Sequence, residues 1–271
     1  MMKNLITRSL TGLVYVLVIL GSILGGGCTF GALFALVTVG CLWEFYGLLN
    51  VHKSASINRL HHCVGGLILF AASFVAANGA WHSTAVFGLY LAYLVSVLVA
   101  ELYVKNSDHI AHLATVFLGQ IYIALPLSML NYVAFSGVGD NYTPIFLLAL
   151  FVFIWLNDTG AYLIGMNFGK HRLIERISPK KSWEGFWGGL VFACLSAFAF
   201  AGYEPSIHLY KWLAMALLAA LLGVWGDLIE SLFKRTLNIK DSGKVLPGHG
   251  GFLDRFDSLL LAVYAMIIFL H

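Results

Sequence analysis

Charge is what this chain has least of: acidic and basic residues make up 11% of its 271 positions, against about 25% in an ordinary soluble domain. With 60% of residues hydrophobic, there is too little polar surface to coat a water-soluble globule, and an integral membrane protein is implied. Proline is rare, at five, while the 28 glycines suit closely packed transmembrane helices. Cysteine is sparse too. Cys28, Cys41, Cys63 and Cys194 lie in apolar runs with no CxxC pair, which argues against a disulfide framework or thiolate metal site and predicts small buried hydrophobes. The first apolar run lacks an obvious small-residue cleavage site and is too long for a signal peptide, so it is expected to remain as a span. The net charge of +3 decides little about partners, and no nucleic-acid ligand is expected.

What the chain does have is apolar stretches of about 20 residues, the length that crosses a bilayer. Nine emerge, at about 9–27, 29–49, 61–78, 84–103, 111–134, 143–166, 184–203, 209–232 and 252–270. They predict an all-α membrane protein of about nine transmembrane helices. Lysine and arginine orient it. Lys3, Arg8, Lys53, Arg59, Lys105, Lys170, Arg172, Arg176, Lys180, Lys181, Lys234, Arg235, Lys240, Lys244 and Arg255 fall on one side of that arrangement, and of the 16 basic residues only Lys211 falls on the other. The N-terminus is therefore expected in the cytoplasm and the C-terminus outside. Residues 1–142 read as a scaffold of about five spans. Residues 143–271 read as a catalytic region of about four spans with two basic, glycine-rich cytoplasmic loops. No internal repeat stands out, which weighs against inverted-repeat transporters.

A carboxylate inside a span costs roughly 2.5–3.5 kcal/mol on insertion scales, so it usually faces a cavity and has a task. Asp227 and Glu230 are three apart in the eighth span, hence on one helix face, which Ser231 and Lys234 continue. Asp254 and Asp257 share a face at the start of the ninth, and Asp158 interrupts the sixth. Glycines flank all three groups and let backbone approach a ligand or another helix. Such acids could merely be neutralised by Lys234, Arg235 and Arg255. Three separate groups beside basic loops fit better a metal–phosphate site: Mg²⁺ takes carboxylates together with substrate phosphates, and arginine and lysine hold phosphate. Glu44 and Glu101 read as interface anchors or helix partners, and His52, His61 and His62 as solvated loop residues. His249, within "PGHGG", is a candidate substrate contact.

At these positions the sequence resembles the phosphatidate cytidylyltransferases (CDP-diacylglycerol synthases). The family signature is filled by Ser231, Phe233, Lys234, Arg235, Lys240, Asp241, Gly243, Leu246, Pro247, His249, Gly250, Gly251, Phe252, Asp254, Arg255, Phe256 and Asp257. Two upstream stretches, "NDTGAYLIGMNFGKH" and "ISPKKSWEGFWGG", are also similar, with Ser182 where many members carry threonine. The likeness covers roughly residues 150–271.

The resemblance implies Mg²⁺-dependent transfer of a cytidylyl group from CTP to phosphatidate, releasing pyrophosphate, at the inner face of a bacterial plasma membrane. On that reading Asp227 and Asp254 are the principal metal ligands, with Glu230 and Asp257 as further ones, and a second metal ion is compatible. Lys234, Arg235, Lys240 and Arg255 hold phosphate. Asp158, Lys180, Lys181, Ser231, Asp241, His249, Gly250 and Gly251 contact substrate. A homodimer is compatible with the sequence, which marks no interface for it. The competing readings are a CTP-dependent polyprenol or dolichol kinase, which would release CDP, and an ion-coupled transporter, which would want its acids near mid-span.

Overall fold

A computed structural model describes residues 2–53, 56–79, 84–105, 108–137, 139, 141–243 and 250–270. The chain is helical almost throughout, and each of the nine expected apolar stretches lies on helix. In order these are α1 (Met2–Leu24), α2 (Gly27–Lys53), α3 (Arg59–Ala77), a 3₁₀ turn (Thr84–Phe87) running into α4 (Gly88–Glu101), α5 (His109–Gly119), a π-helical turn (Gln120–Ala124) continuing as α6 (Leu125–Ala134), α7 (Pro144–Phe168), α8 (Trp183–Tyr203), α9 (Leu209–Thr236) and α10 (Leu253–Leu270). Seven of the described helical segments are long and apolar enough to cross a membrane. A short antiparallel hairpin, β1 (Arg172–Ile174) with β2 (Ser178–Ser182), stands between α7 and α8 in sequence.

Local chemistry sets several boundaries. Asn58 and Asp108 cap α3 and α5, accepting from the N–H groups of His61 and Ala111. Ser182 does the same for α8 through Gly185 N–H at 3.1 Å. α9 ends with Lys234 and Arg235 in its last turn, where cations suit the helix dipole, and Asn238 follows in the left-handed region at φ 57°. Pro126 has no N–H to donate, and the π turn that divides α5 from α6 lies just before it.

The chain forms two compact units: Met1–Thr143 with Asp241–Arg255, and Pro144–Lys240 with Phe256–His271. In the first, buried aromatics of α2 such as Phe30, Phe34 and Tyr46 anchor the packing, and Tyr46 donates to the Val116 carbonyl at 2.7 Å. Glu101 bridges α4 to α5, accepting from His109 Nδ1 at 2.7 Å and His112 Nδ1 at 2.6 Å, as expected of a helix partner. Two expectations are corrected here. His52, His61 and His62 are not loop residues: His52 lies exposed in the last turn of α2, and the other two lie in α3, where His62 is buried against the Tyr93 hydroxyl (3.0 Å) and His61 meets Ser96 Oγ (2.9 Å). The stretch before these two is shorter than its polarity suggests, so the helix takes them in. Of the cysteines, Cys41 and Cys63 are buried and Cys194 partly so, but Cys28 is exposed near the start of α2.

In the second unit, α7 and α8 pack most intimately. A Cβ on Gly185 would come within 2.7 Å of the Ala161 carbonyl oxygen, and one on Gly189 within 2.7 Å of the Asn157 carbonyl oxygen. Two glycines four apart thus let the backbones touch, the small-residue contact favoured between membrane helices. Phe186, Leu190 and Ala193 of α8 join Ala220, Val224 and Leu228 of α9 in one apolar cluster with Ile177 of the hairpin.

Candidate active site

Within the second unit a cavity of about 610 Å³ opens between α7, α8, α9 and the hairpin. That volume lies inside the range of roughly 300–1,000 Å³ common for small-molecule sites. Its polar lining comes from Asn157 and Asp158 on α7, Arg172 on β1, Lys180, Lys181 and Ser182 on β2, and Asp227 on α9. The hairpin is what brings the basic side chains to the mouth of a cleft otherwise made by apolar helices. Asp227 is doubly engaged: Lys181 Nζ lies 2.6 Å from its Oδ2, and Ser231 Oγ donates to its Oδ1 at 3.2 Å.

One turn along α9, Glu230 is fully buried and forms an ion pair with Lys234. A side chain at Gly226 would run into the carbonyl oxygen of Asp257, so α9 and α10 cross beside Asp227. Asp257 there has Asp227, Lys234 and Asp158 as electrostatic neighbours, and its own Oδ1 accepts from Ser258 N–H at 2.6 Å. Arg235 is exposed, and its Nε donates to the Ile177 carbonyl at 3.2 Å, tying the end of α9 to the hairpin. Lys240 is also exposed.

The remaining expected residues belong to the first unit. Asp254 Oδ2 accepts two backbone N–H bonds, from Gly251 at 2.8 Å and Ser242 at 2.9 Å. Gly250 sits at φ +83°, a conformation that needs glycine, and a Cβ there would strike Asp254 Oδ2. Arg255 is exposed, and its carbonyl accepts from the Tyr15 hydroxyl at 3.0 Å. Asp241 is exposed as well. His249 lies outside the described residues.

The second unit therefore gathers Asp158, Lys180, Lys181, Asp227, Ser231, Glu230, Lys234 and Asp257 around α9. The first holds Asp254 with Gly250 and Gly251. Asn157, Arg172 and Ser182 line the cavity without having been singled out as contacts. The i−1 position of Asn157 beside Asp158 was the available signal for it; Arg172 carried none beyond its charge.

Among the described residues no three acidic, histidine or cysteine side chains stand close enough to cage a metal alone. Mg²⁺ does not require such a cage, because it retains waters and takes one or two carboxylates with substrate phosphates. Asp227 and Asp158 on the walls of one cavity fit that mode, and Lys181 already sets a positive charge against Asp227.

Residues 6–271 match a sequence family described as "Cytidylyltransferase family". The chain is similar to the phosphatidate cytidylyltransferase of Staphylococcus aureus (strain COL), at 32% identity over 265 residues, 97% of this chain and 98% of the relative. It is 30% identical over 264 residues to that of Staphylococcus haemolyticus (strain JCSC1435), again covering 97% and 98%. The corresponding protein of Staphylococcus epidermidis (strain ATCC 12228 / FDA PCI 1200) is 31% identical over 265 residues, with the same coverage.

Proposed function

Since the chain belongs to the cytidylyltransferase family, we propose that it transfers the cytidylyl group of CTP to phosphatidate, giving CDP-diacylglycerol and pyrophosphate in phospholipid synthesis. The observation that carries this is the α7–α9 cavity, where Lys180, Lys181 and Arg172 face Asp158 and Asp227 in a multi-pass membrane protein. A nucleotide triphosphate needs cations, a metal-bound phosphate needs carboxylates, and a lipid substrate needs a site reached from the bilayer.

A phosphate oxygen of phosphatidate attacks the α-phosphorus of CTP in line. A new P–O–P bond forms, the bond from the α-phosphorus to the oxygen bridging it to the β-phosphorus breaks, and pyrophosphate leaves with that electron pair. No covalent enzyme intermediate is needed, so positioning and charge stabilisation supply the rate. Lys180, Lys181 and Arg172 hold the triphosphate, and Ser231 keeps the Asp227 carboxylate in one orientation. Asp227, Asp257 and Asp158 would hold Mg²⁺, with Glu230 steadied by Lys234 beside them, and Asp254 of the first unit keeps the part in the transferase chemistry that the family resemblance implies. Mg²⁺ held by these residues would supply neutralisation of charge on the transferring and leaving phosphates. The basic loops are assigned to the cytoplasmic side of a bacterial plasma membrane, where CTP is found.

Parallel incubations of purified protein and phosphatidate with CTP labelled at the α- or the γ-phosphate test this reading. Label from the α-position is expected in the lipid extract and label from the γ-position in pyrophosphate. Transfer of γ-label to lipid, with CDP released, would reverse the assignment in favour of a kinase.

A further inference from the structure

Glu44 lies on α2, about 200 residues before the signature stretch, yet its carboxylate reaches two separate points within that stretch. Oε2 accepts from the Ser242 hydroxyl at 3.3 Å and from Leu253 N–H, the first residue of α10, at 3.0 Å. Side chains on Gly243 or Gly251 would collide with the carboxylate, so the backbone on either side rests directly on it. Glu44 is 9% exposed, and its Oε1 is a buried oxygen without a hydrogen-bond partner among the described residues. A carboxylate desolvated to this degree is costly unless its bonds return the energy. Those bonds run to the segment that carries Asp254, and Asp254 also ties the two parts together, through Ser242 and Gly251 N–H.

We propose that Glu44 is a positioning residue: it clamps Ser242 and Gly243 to Gly251 and Leu253, and so fixes the place and rotamer of Asp254 at the start of α10. The role rests on the reading of Asp254 as part of the transferase machinery. It gives an early helix a direct part in the chemistry. It also accounts for glycine at 243 and 251, two positions where any larger residue would displace the clamp.

Hydrogen exchange across residues 238–256, measured beside steady-state kinetics on the full-length protein, tests it. In Glu44→Ala the amides of Ser242, Gly251 and Leu253 should exchange about 10-fold faster or more, with α3 and α7 unchanged. The kcat for CDP-diacylglycerol formation should fall ~10–100-fold while KM for CTP moves much less, as expected when a remote change misplaces a reacting group. Glu44→Gln keeps an acceptor for Leu253 and should recover most of both. Gly251→Ala provides a second variant: its cost should be large beside Glu44 and much smaller in the Glu44→Ala background, where the methyl has room. Unchanged amide exchange in Glu44→Ala, a normal kcat despite faster exchange, or additive costs in the double variant would each overturn the clamp. A wild-type protein that forms no cytidine lipid would instead sink the transferase reading, since exchange reports the clamp without any turnover.

Discussion

Lys181 decides how Asp227 can be used. Its ammonium stands 2.6 Å from Oδ2, with the two side chains 27% and 33% exposed, and a pair that wet contributes only about 0–1 kcal/mol to folding. On the proposed reading its value is chemical, as a charge held ready for phosphate. Lys181→Ala should lower kcat/KM for CTP about 10–100-fold, with melting temperature little altered; an unaffected kcat/KM would remove Lys181 from the site. Gly226 makes the opposite kind of contribution. A methyl there meets the Asp257 carbonyl oxygen, which is backbone and cannot step aside, so Gly226→Ala should cost about 1–3 kcal/mol. Thermal unfolding in detergent should show a fall of about 2–12 °C, and a melting point equal to wild type would show that α9 and α10 do not cross there. At this scale the candidate site was partly legible. Asp158 and Asp227 stood out because acids rarely survive inside apolar helices, and Lys180 and Lys181 because they sit next to one another in a glycine-flanked loop. The partners of Glu44 were not legible, because they lie 198 and 209 residues away and no periodicity links them.

Among the elements, apolar length was the reliable signal: a bilayer demands about 20 apolar residues per helix, and every expected stretch is helical. The hairpin was not anticipated. Its strands are three and five residues long, its sequence is polar, and the antiparallel pairing that creates it leaves no alternating pattern to read. The π turn before Pro126 was equally hidden inside an unbroken apolar run. Yet the hairpin is what carries Arg172, Lys180 and Lys181 to the cavity, and the Arg235–Ile177 bond at 3.2 Å holds it to α9. Arg235→Ala should therefore raise KM for CTP several-fold more than it lowers kcat. The reverse split would mean that Arg235 acts on the reacting phosphates themselves.

Across the whole molecule, the charge distribution is the ground for the expected topology. On the nine-span reading, which puts 15 of the 16 basic residues on one side and Lys211 on the other, the loop holding Ser206 is expected to face outward and the hairpin loop holding Glu175 the cytoplasm. In a chain freed of its four cysteines, Ser206→Cys should react with an impermeant maleimide on intact cells and Glu175→Cys only after permeabilisation; the opposite pattern would invert the protein. The proposed chemistry hinges on one carboxylate, Asp227. The direct test is Mg²⁺-dependent CDP-diacylglycerol formation by Asp227→Asn, a change that keeps the side chain's size while removing its charge. Turnover should drop about 100-fold or more, with the protein still folded and inserted. Turnover at the wild-type rate would contradict a catalytic site built on Asp227.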